Sequence, residues 1–157
     1  MRSLKLPAIV LPQADHARLE QLAAKAIAEQ HPLAPLLVTE VERARVTHDR
    51  AVLNEVATLN KWITYRVDWG PTESRCLVHP DDYVCHDRQL SVLSLEGAAI
   101  IGIGIGDRMP FMDAEGNPHL ITLMSVESGP RVVSFSRRAR VRKAASDDPF
   151  DSGPPAA

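Results

Sequence analysis

Between Pro12 and Pro32 the apolar positions Leu19, Leu22, Ala23, Ala26 and Ile27 recur at i, i+3, i+4, i+7 and i+8, while Arg18, Glu20, Gln21 and Lys25 lie off that stripe. The spacing predicts an amphipathic helix. Asp15 stands where a short carboxylate can accept hydrogen bonds from the first free backbone donors. Pro32 disfavours helix in the residue before it, so the helix is expected to end near Gln30. A second helical stretch carries Leu33, Leu37, Val41 and Ala44 on one side, with Glu40, Glu42, Arg43 and Arg45 mostly on the other, and Pro35 suits its first turn. So short a link makes the two helices an antiparallel hairpin that buries stripe against stripe. With about 15 residues at about 1.5 Å each, the hairpin reaches only about 23 Å, a stub expected to stand clear of the rest.

From Val56 the period changes to two. Trp62, Thr64, Arg66 and Asp68 alternate with Ile63, Tyr65, Val67 and Trp69 before Gly70-Pro71 interrupts them. Further extended runs are expected at Ser74–His79, Gln89–Leu93, Arg108–Met112 and His119–Val126, the last two joined by a turn through Asp113-Ala114-Glu115-Gly116-Asn117-Pro118. Glu96 to Gly102 reads as a short buried helix closed by glycine. The expected fold class is therefore α+β: an N-terminal helical hairpin, then a small, mostly antiparallel sheet with one short helix against it. Residues 1–50 form the arm and hairpin, 51–130 the sheet portion, and 131–157 a tail.

Composition sharpens this picture at the tail. The 157 residues are 45% apolar, enough for a core without disulfides or a structural metal, and the formal net charge is −2. Against that near-neutral background, Arg131, Arg137, Arg138, Arg140, Arg142 and Lys143 crowd into one stretch without an acidic residue. From about residue 138 the chain cannot bury enough surface to offset its ordering entropy, and disorder is expected there. The basic stretch could contact nucleic acid or an acidic protein surface, but no aromatic residues interleave to stack bases, and a solvated tail is the default. Two cysteines, Cys76 and Cys85, in a chain that needs no bridge suit a reducing, cytoplasmic setting. The N-terminal apolar run is cut by Pro7 and Pro12 and reads as neither signal peptide nor membrane span.

Candidate chemistry is sparse. Gly102-Ile103-Gly104-Ile105-Gly106-Asp107 lacks the spacing of a dinucleotide or phosphate loop and reads as a helix stop and turn into a strand. Cys76, His79, Cys85 and His86 offer ligand types suited to zinc at an unfavourable spacing, so neither a metal nor a cofactor is expected. The six histidines form no recognisable pair, most read as solvent-exposed, and they are taken to indicate no chemistry. No serine occupies a nucleophile elbow. Glu29 is the one carboxylate that the hairpin tip would present outward.

The parts in this order resemble the Gre-type transcription factors. The resemblance lies in Leu6-Pro7-Ala8-Ile9-Val10-Leu11, in Pro32-Leu33-Ala34-Pro35-Leu36, in Glu40-Val41-Glu42-Arg43-Ala44, and above all in Gln89-Leu90-Ser91-Val92-Leu93-Ser94-Leu95-Glu96-Gly97-Ala98-Ala99-Ile100-Ile101-Gly102 followed by Gly106-Asp107. It covers roughly residues 5–127. It implies an antiparallel coiled coil on a domain resembling FK506-binding proteins (FKBP-like), and docking to RNA polymerase at its secondary channel. In full Gre factors an acidic pair at a long tip carries a metal ion to the polymerase active centre for transcript cleavage. Here the Gln30–Pro35 turn has no acidic pair, only Glu29 before it. The resemblance therefore implies a non-enzymatic regulator that binds without stimulating cleavage and competes with full Gre factors. The family's rim-contacting turn maps onto Leu93, Ser94 and Leu95, next to Glu96, with the two leucines expected to be exposed. A prolyl isomerase, suggested by the implied fold, and a nucleic-acid binder acting through the tail are the competing expectations. A monomer is expected.

Overall fold

A computed structural model describes residues 5–127 of the chain. It opens with a two-residue strand, β1 (Val10–Leu11), and a long helix, α1 (Gln13–Ala28). A turn leads into α2 (Ala34–Arg43), a second short strand, β2 (Arg45–Val46), and a single helical turn, α3 (Arg50–Leu53). The sheet strands follow as β3 (Trp62–Val67), β4 (Glu73–Val78) and β5 (Gln89–Ser91). After them come the short helix α4 (Leu95–Ile100) and the strands β6 (Arg108–Met112) and β7 (Pro118–Val126). Among the described residues no helix is long and apolar enough to cross a membrane.

The stripe on α1 buries Leu19, Leu22, Ala23 and Ala26 as its spacing requires, but Ile27, at the outer end, is 56% exposed. The helix starts without a side-chain cap. Asp15 does not cap it; its Oδ2 instead accepts the backbone N–H of Leu59 at 2.9 Å, tying α1 to the segment that enters the sheet. On α2 the polar side is less polar in use than in sequence. Glu40 is only 5% exposed, and Arg43 covers it with an ion pair of 3.3 Å while also donating to the Pro7 carbonyl. A buried carboxylate without such a partner would carry a large desolvation cost.

The open ends of the helix pair are held together. His16 Nε2 donates to the Val41 carbonyl at 3.3 Å, and β1 pairs in parallel with β2, Val10 opposite Arg45 and Leu11 opposite Val46. β1 is also bonded to the turn after α4, through Val10 N–H to the Gly102 carbonyl at 2.9 Å. Gly102 has φ of +80°, and a Cβ there would come within 2.3 Å of Ile9 Cγ2, so only glycine lets the N-terminal strand approach this closely.

One buried cluster joins Leu19, Leu22, Leu37 and Val41 of the helices to Ile63, Tyr65, Leu77, Ile100, Ile121 and Leu123 of the sheet and α4. The hydrophobic core thus runs continuously across residue 50. Arg18 of α1 also reaches Asp82, beyond β4, at 3.5 Å. The expected free-standing stub is therefore corrected. The inner faces of both helices lie in the common core, because their apolar stripes are wider than either helix alone can cover. Exposed residues gather at the outer end, from Ile27 to Gln30.

The sheet has the order β5-β4-β3-β7-β6. Its pairings are antiparallel except for β4 with β5, which run parallel in the register Cys76–Gln89, Leu77–Leu90 and Val78–Ser91. A residue-period signal cannot reveal this, because alternation is the same in either direction. Alternation does set the faces: Ile63 and Tyr65 are buried, whereas Trp69 lies past the strand end and is 88% exposed.

Candidate functional site

The strand, turn and first helical residues from Gln89 to Glu96 build one wall of a cleft of about 580 Å³. Ser94 makes the turn. Its hydroxyl donates to the Ser91 carbonyl at 2.6 Å and accepts the Gly97 N–H at 3.1 Å, closing the bend and capping α4. Gly97 is packed so tightly under this bend that an added Cβ would lie 1.9 Å from the Ser91 carbonyl oxygen. The turn is thus locked against β5 by backbone contact.

Leu93, Ser94, Leu95 and Glu96 all line the cleft, so four of the five residues singled out from the sequence come together. Glu29 is not among them. It is exposed at the end of α1, where its backbone N–H closes the last turn. The expectation that Leu93 and Leu95 are exposed is corrected: both are half-buried and pack against the core, because the Ser94 cap folds the bend inward.

Opposite the turn, Arg75 Nη1 donates to the Tyr65 hydroxyl at 2.9 Å and pairs with Glu73 at 2.8 Å, while its buried Nε meets no acceptor among the described residues. Burial pushes the Tyr65 phenol up to about 12, against the opposing pull of the neighbouring guanidinium. Burial likewise raises the Glu96 carboxyl above its ordinary range, reinforced by Glu73 and opposed by Arg75. Glu96 makes no hydrogen bond among the described residues. The cleft therefore combines apolar walls from Leu93, Leu95 and Phe111 with a carboxylate that lacks a close partner, a combination suited to a cationic side chain with an aliphatic stem.

At the far rim His119 corrects the reading of the histidines as uninformative. Its Nδ1 lies 2.7 Å from Asp68 Oδ2 and its Nε2 lies 2.7 Å from Asp113 Oδ2, with the ring stacked on Phe111. Neutral imidazole has one N–H, so two such contacts with carboxylates call for the imidazolium. Hydrogen bonds to Asp68 and Asp113 accordingly raise the His119 pKa, and the same contacts lower both carboxyls, Asp113 to about 2. The clamp ties the turn after β3 to the turn between β6 and β7. Only the long-range fold brings these groups together.

The other candidates do not converge. His79 accepts the Asp81 N–H, His86 bonds the Tyr83 hydroxyl at 3.0 Å, and Cys76 and Cys85 are free thiols, with burial raising the pKa of Cys76. Among the described residues no group of three His, Cys, Asp or Glu side chains is placed to hold a metal. The glycine-rich run forms the expected stop and turn, with Asp107 Oδ2 accepting the Gly104 N–H at 2.9 Å. The basic stretch from Arg131 to Lys143 lies outside the described residues.

The fold as a whole is similar to that of a solved protein. The prokaryotic transcription elongation factor GreA/GreB from Nitrosomonas europaea matches with a TM-score of 0.60 and 25% identity, over 75% of this chain and 98% of that one. The chain is thus similar, in fold and in sequence, to Gre-type transcription factors. No family model matches the sequence. It is also similar to the regulator of nucleoside diphosphate kinase from Escherichia coli (strain K12). The two are 29% identical over 102 residues, 64% of this chain and 75% of that protein, and the Shigella flexneri protein of the same name matches to the same extent.

Proposed function

We propose that this protein is a transcription regulator that binds RNA polymerase at the secondary channel, does not stimulate transcript cleavage, and competes there with full-length Gre factors. It acts as a binding module and not as an enzyme, with the sheet portion serving as the FKBP-like docking domain of the family. The observation that carries this proposal is the cleft at the Ser94 turn, which gathers Leu93, Leu95 and Glu96 into one rigid surface. Glu96 is the anchor for a basic side chain of the polymerase, and the leucines contact its stem.

Absence of cleavage stimulation follows from the helix pair. Residues 29–33, between α1 and α2, hold Glu29 as their single carboxylate, and one exposed carboxylate is a poor holder of a catalytic divalent cation. The inner halves of both helices are committed to the core, which shortens their reach further. Docking therefore depends on the cleft more than on the tip.

Retention on core polymerase and competition on a stalled elongation complex test this directly. Wild type should be retained, should displace a Gre factor, and should leave the transcript uncut. Glu96→Arg, which places no new apolar group in the core, should lose at least about tenfold in affinity, the scale of a reversed charge at an interface. Binding by Glu96→Arg and Leu93→Asp equal to wild type would reject the cleft as the docking surface, and stimulated cleavage would reject the passive role.

A further inference from the structure

A second pocket, of about 380 Å³, lies on the other side of the link between the helix pair and the sheet, lined by Pro12, by residues just before and within α3, and by Thr58 and Lys61. Its lining is rich in hydrogen-bond donors. Arg50 and His48 are exposed, and neither side chain has a partner among the described residues. The Thr47 hydroxyl already accepts the Asp49 N–H at 3.2 Å, which leaves its proton to donate. Thr58 is only 4% exposed as a residue and lines the pocket, where its hydroxyl adds a further donor.

Lys61 completes the set. Its ammonium donates to the Leu53 carbonyl, which uses one of three protons. Burial lowers the Lys61 pKa, with Asp15 opposing, so a further anion would restore part of what the ammonium loses on leaving water. No Asp or Glu lines the pocket. Asp49 and Asp15 lie outside that lining, Asp49 accepting the Ala51 N–H at 2.9 Å and Asp15 the Leu59 N–H. Two cations, a histidine and two hydroxyls around a concave space with no carboxylate in its wall form a complementary setting for a compact, multiply charged oxyanion.

We propose that this pocket binds a small phosphate-monoester ligand, with Arg50 and Lys61 as the charge partners and Thr58 as the buried hydroxyl donor. The volume admits a phosphoryl group with a sugar-sized substituent against Pro12 and Leu53. The site is independent of the polymerase-docking cleft.

The test is amide-resolved NMR of the full chain at constant ionic strength, titrated with glycerol 3-phosphate, dimethyl phosphate and sodium chloride. The monoester should shift the amides of Thr47 to Asn54, Thr58 and Lys61 saturably. Arg50→Gln should weaken that binding by about tenfold, as expected for loss of one charge-assisted contact, and the buried isostere Thr58→Val by about threefold, with spectra otherwise unchanged. Equal or tighter binding of the diester would assign the pocket to a nucleic-acid backbone and overturn the proposal. So would equal shifts with chloride, or wild-type affinity in Arg50→Gln.

Discussion

At Gly97 a single hydrogen atom faces the Ser91 carbonyl, and no larger side chain can take its place without moving β5 or α4. Gly97→Ala should therefore cost about 3 kcal/mol or more, the overpacking penalty made worse by contact with rigid backbone, measured by chemical denaturation. A loss below about 0.5 kcal/mol would show that the bend can yield. His119 supplies a second residue-scale expectation. Its pKa is raised above 6.5, so the clamp's contribution to stability is fully present below that ordinary value and lost as pH rises through the raised one. Asp113 works in the opposite sense: its contribution is full above the ordinary 3.8 and disappears as pH falls through about 2. NMR titration should find His119 above 6.5, and His119→Asn should abolish the alkaline decline in Tm. An unshifted His119 would break the clamp as described.

At the scale of elements, the cap on α4 and the tie from α1 act between segments and not within them. Ser94→Ala removes both the Gly97 and Ser91 contacts and should cost about 1 kcal/mol, the usual value of an N-cap, with loss of order confined to residues 93–100 in hydrogen exchange. Unaltered protection there would assign the bend's stability to packing alone. These elements also show what a one-dimensional pattern can and cannot disclose. The stripe on α1 and the alternation of Ile63, Tyr65 and Val67 reveal which elements form, because burial imposes its period directly on the chain. Partners are another matter. The carboxylate of Asp15 looks like a helix cap because local spacing permits it, yet it serves Leu59, 44 positions away. The parallel direction of β5 and the convergence of Asp68, Asp113 and His119 are likewise products of chain reversal. Of the cleft, the turn was legible through its resemblance to a family signature, whereas Arg75 and Tyr65 across from it carry no such signal.

For the molecule as a whole, the shared core makes the helices structural partners of the sheet. A fragment comprising residues 51–127 would lack Leu19, Leu22, Leu37 and Val41, the helix side of the buried cluster that includes Ile63, Leu77 and Ile100. It should lack the dispersed NMR spectrum of the full chain, and a fragment that folds cooperatively by itself would show that the core is divisible. The same continuity bears on partner binding. β1 is bonded on one side to β2, at the foot of α2, and on the other to Gly102, just past α4. The inner end of the helix pair and the turn that follows α4 are therefore fastened to the same short strand. A partner that grips the helices and the Ser94 cleft together meets a gauge of set width, and gains the saving in ordering entropy that a stiff ligand offers.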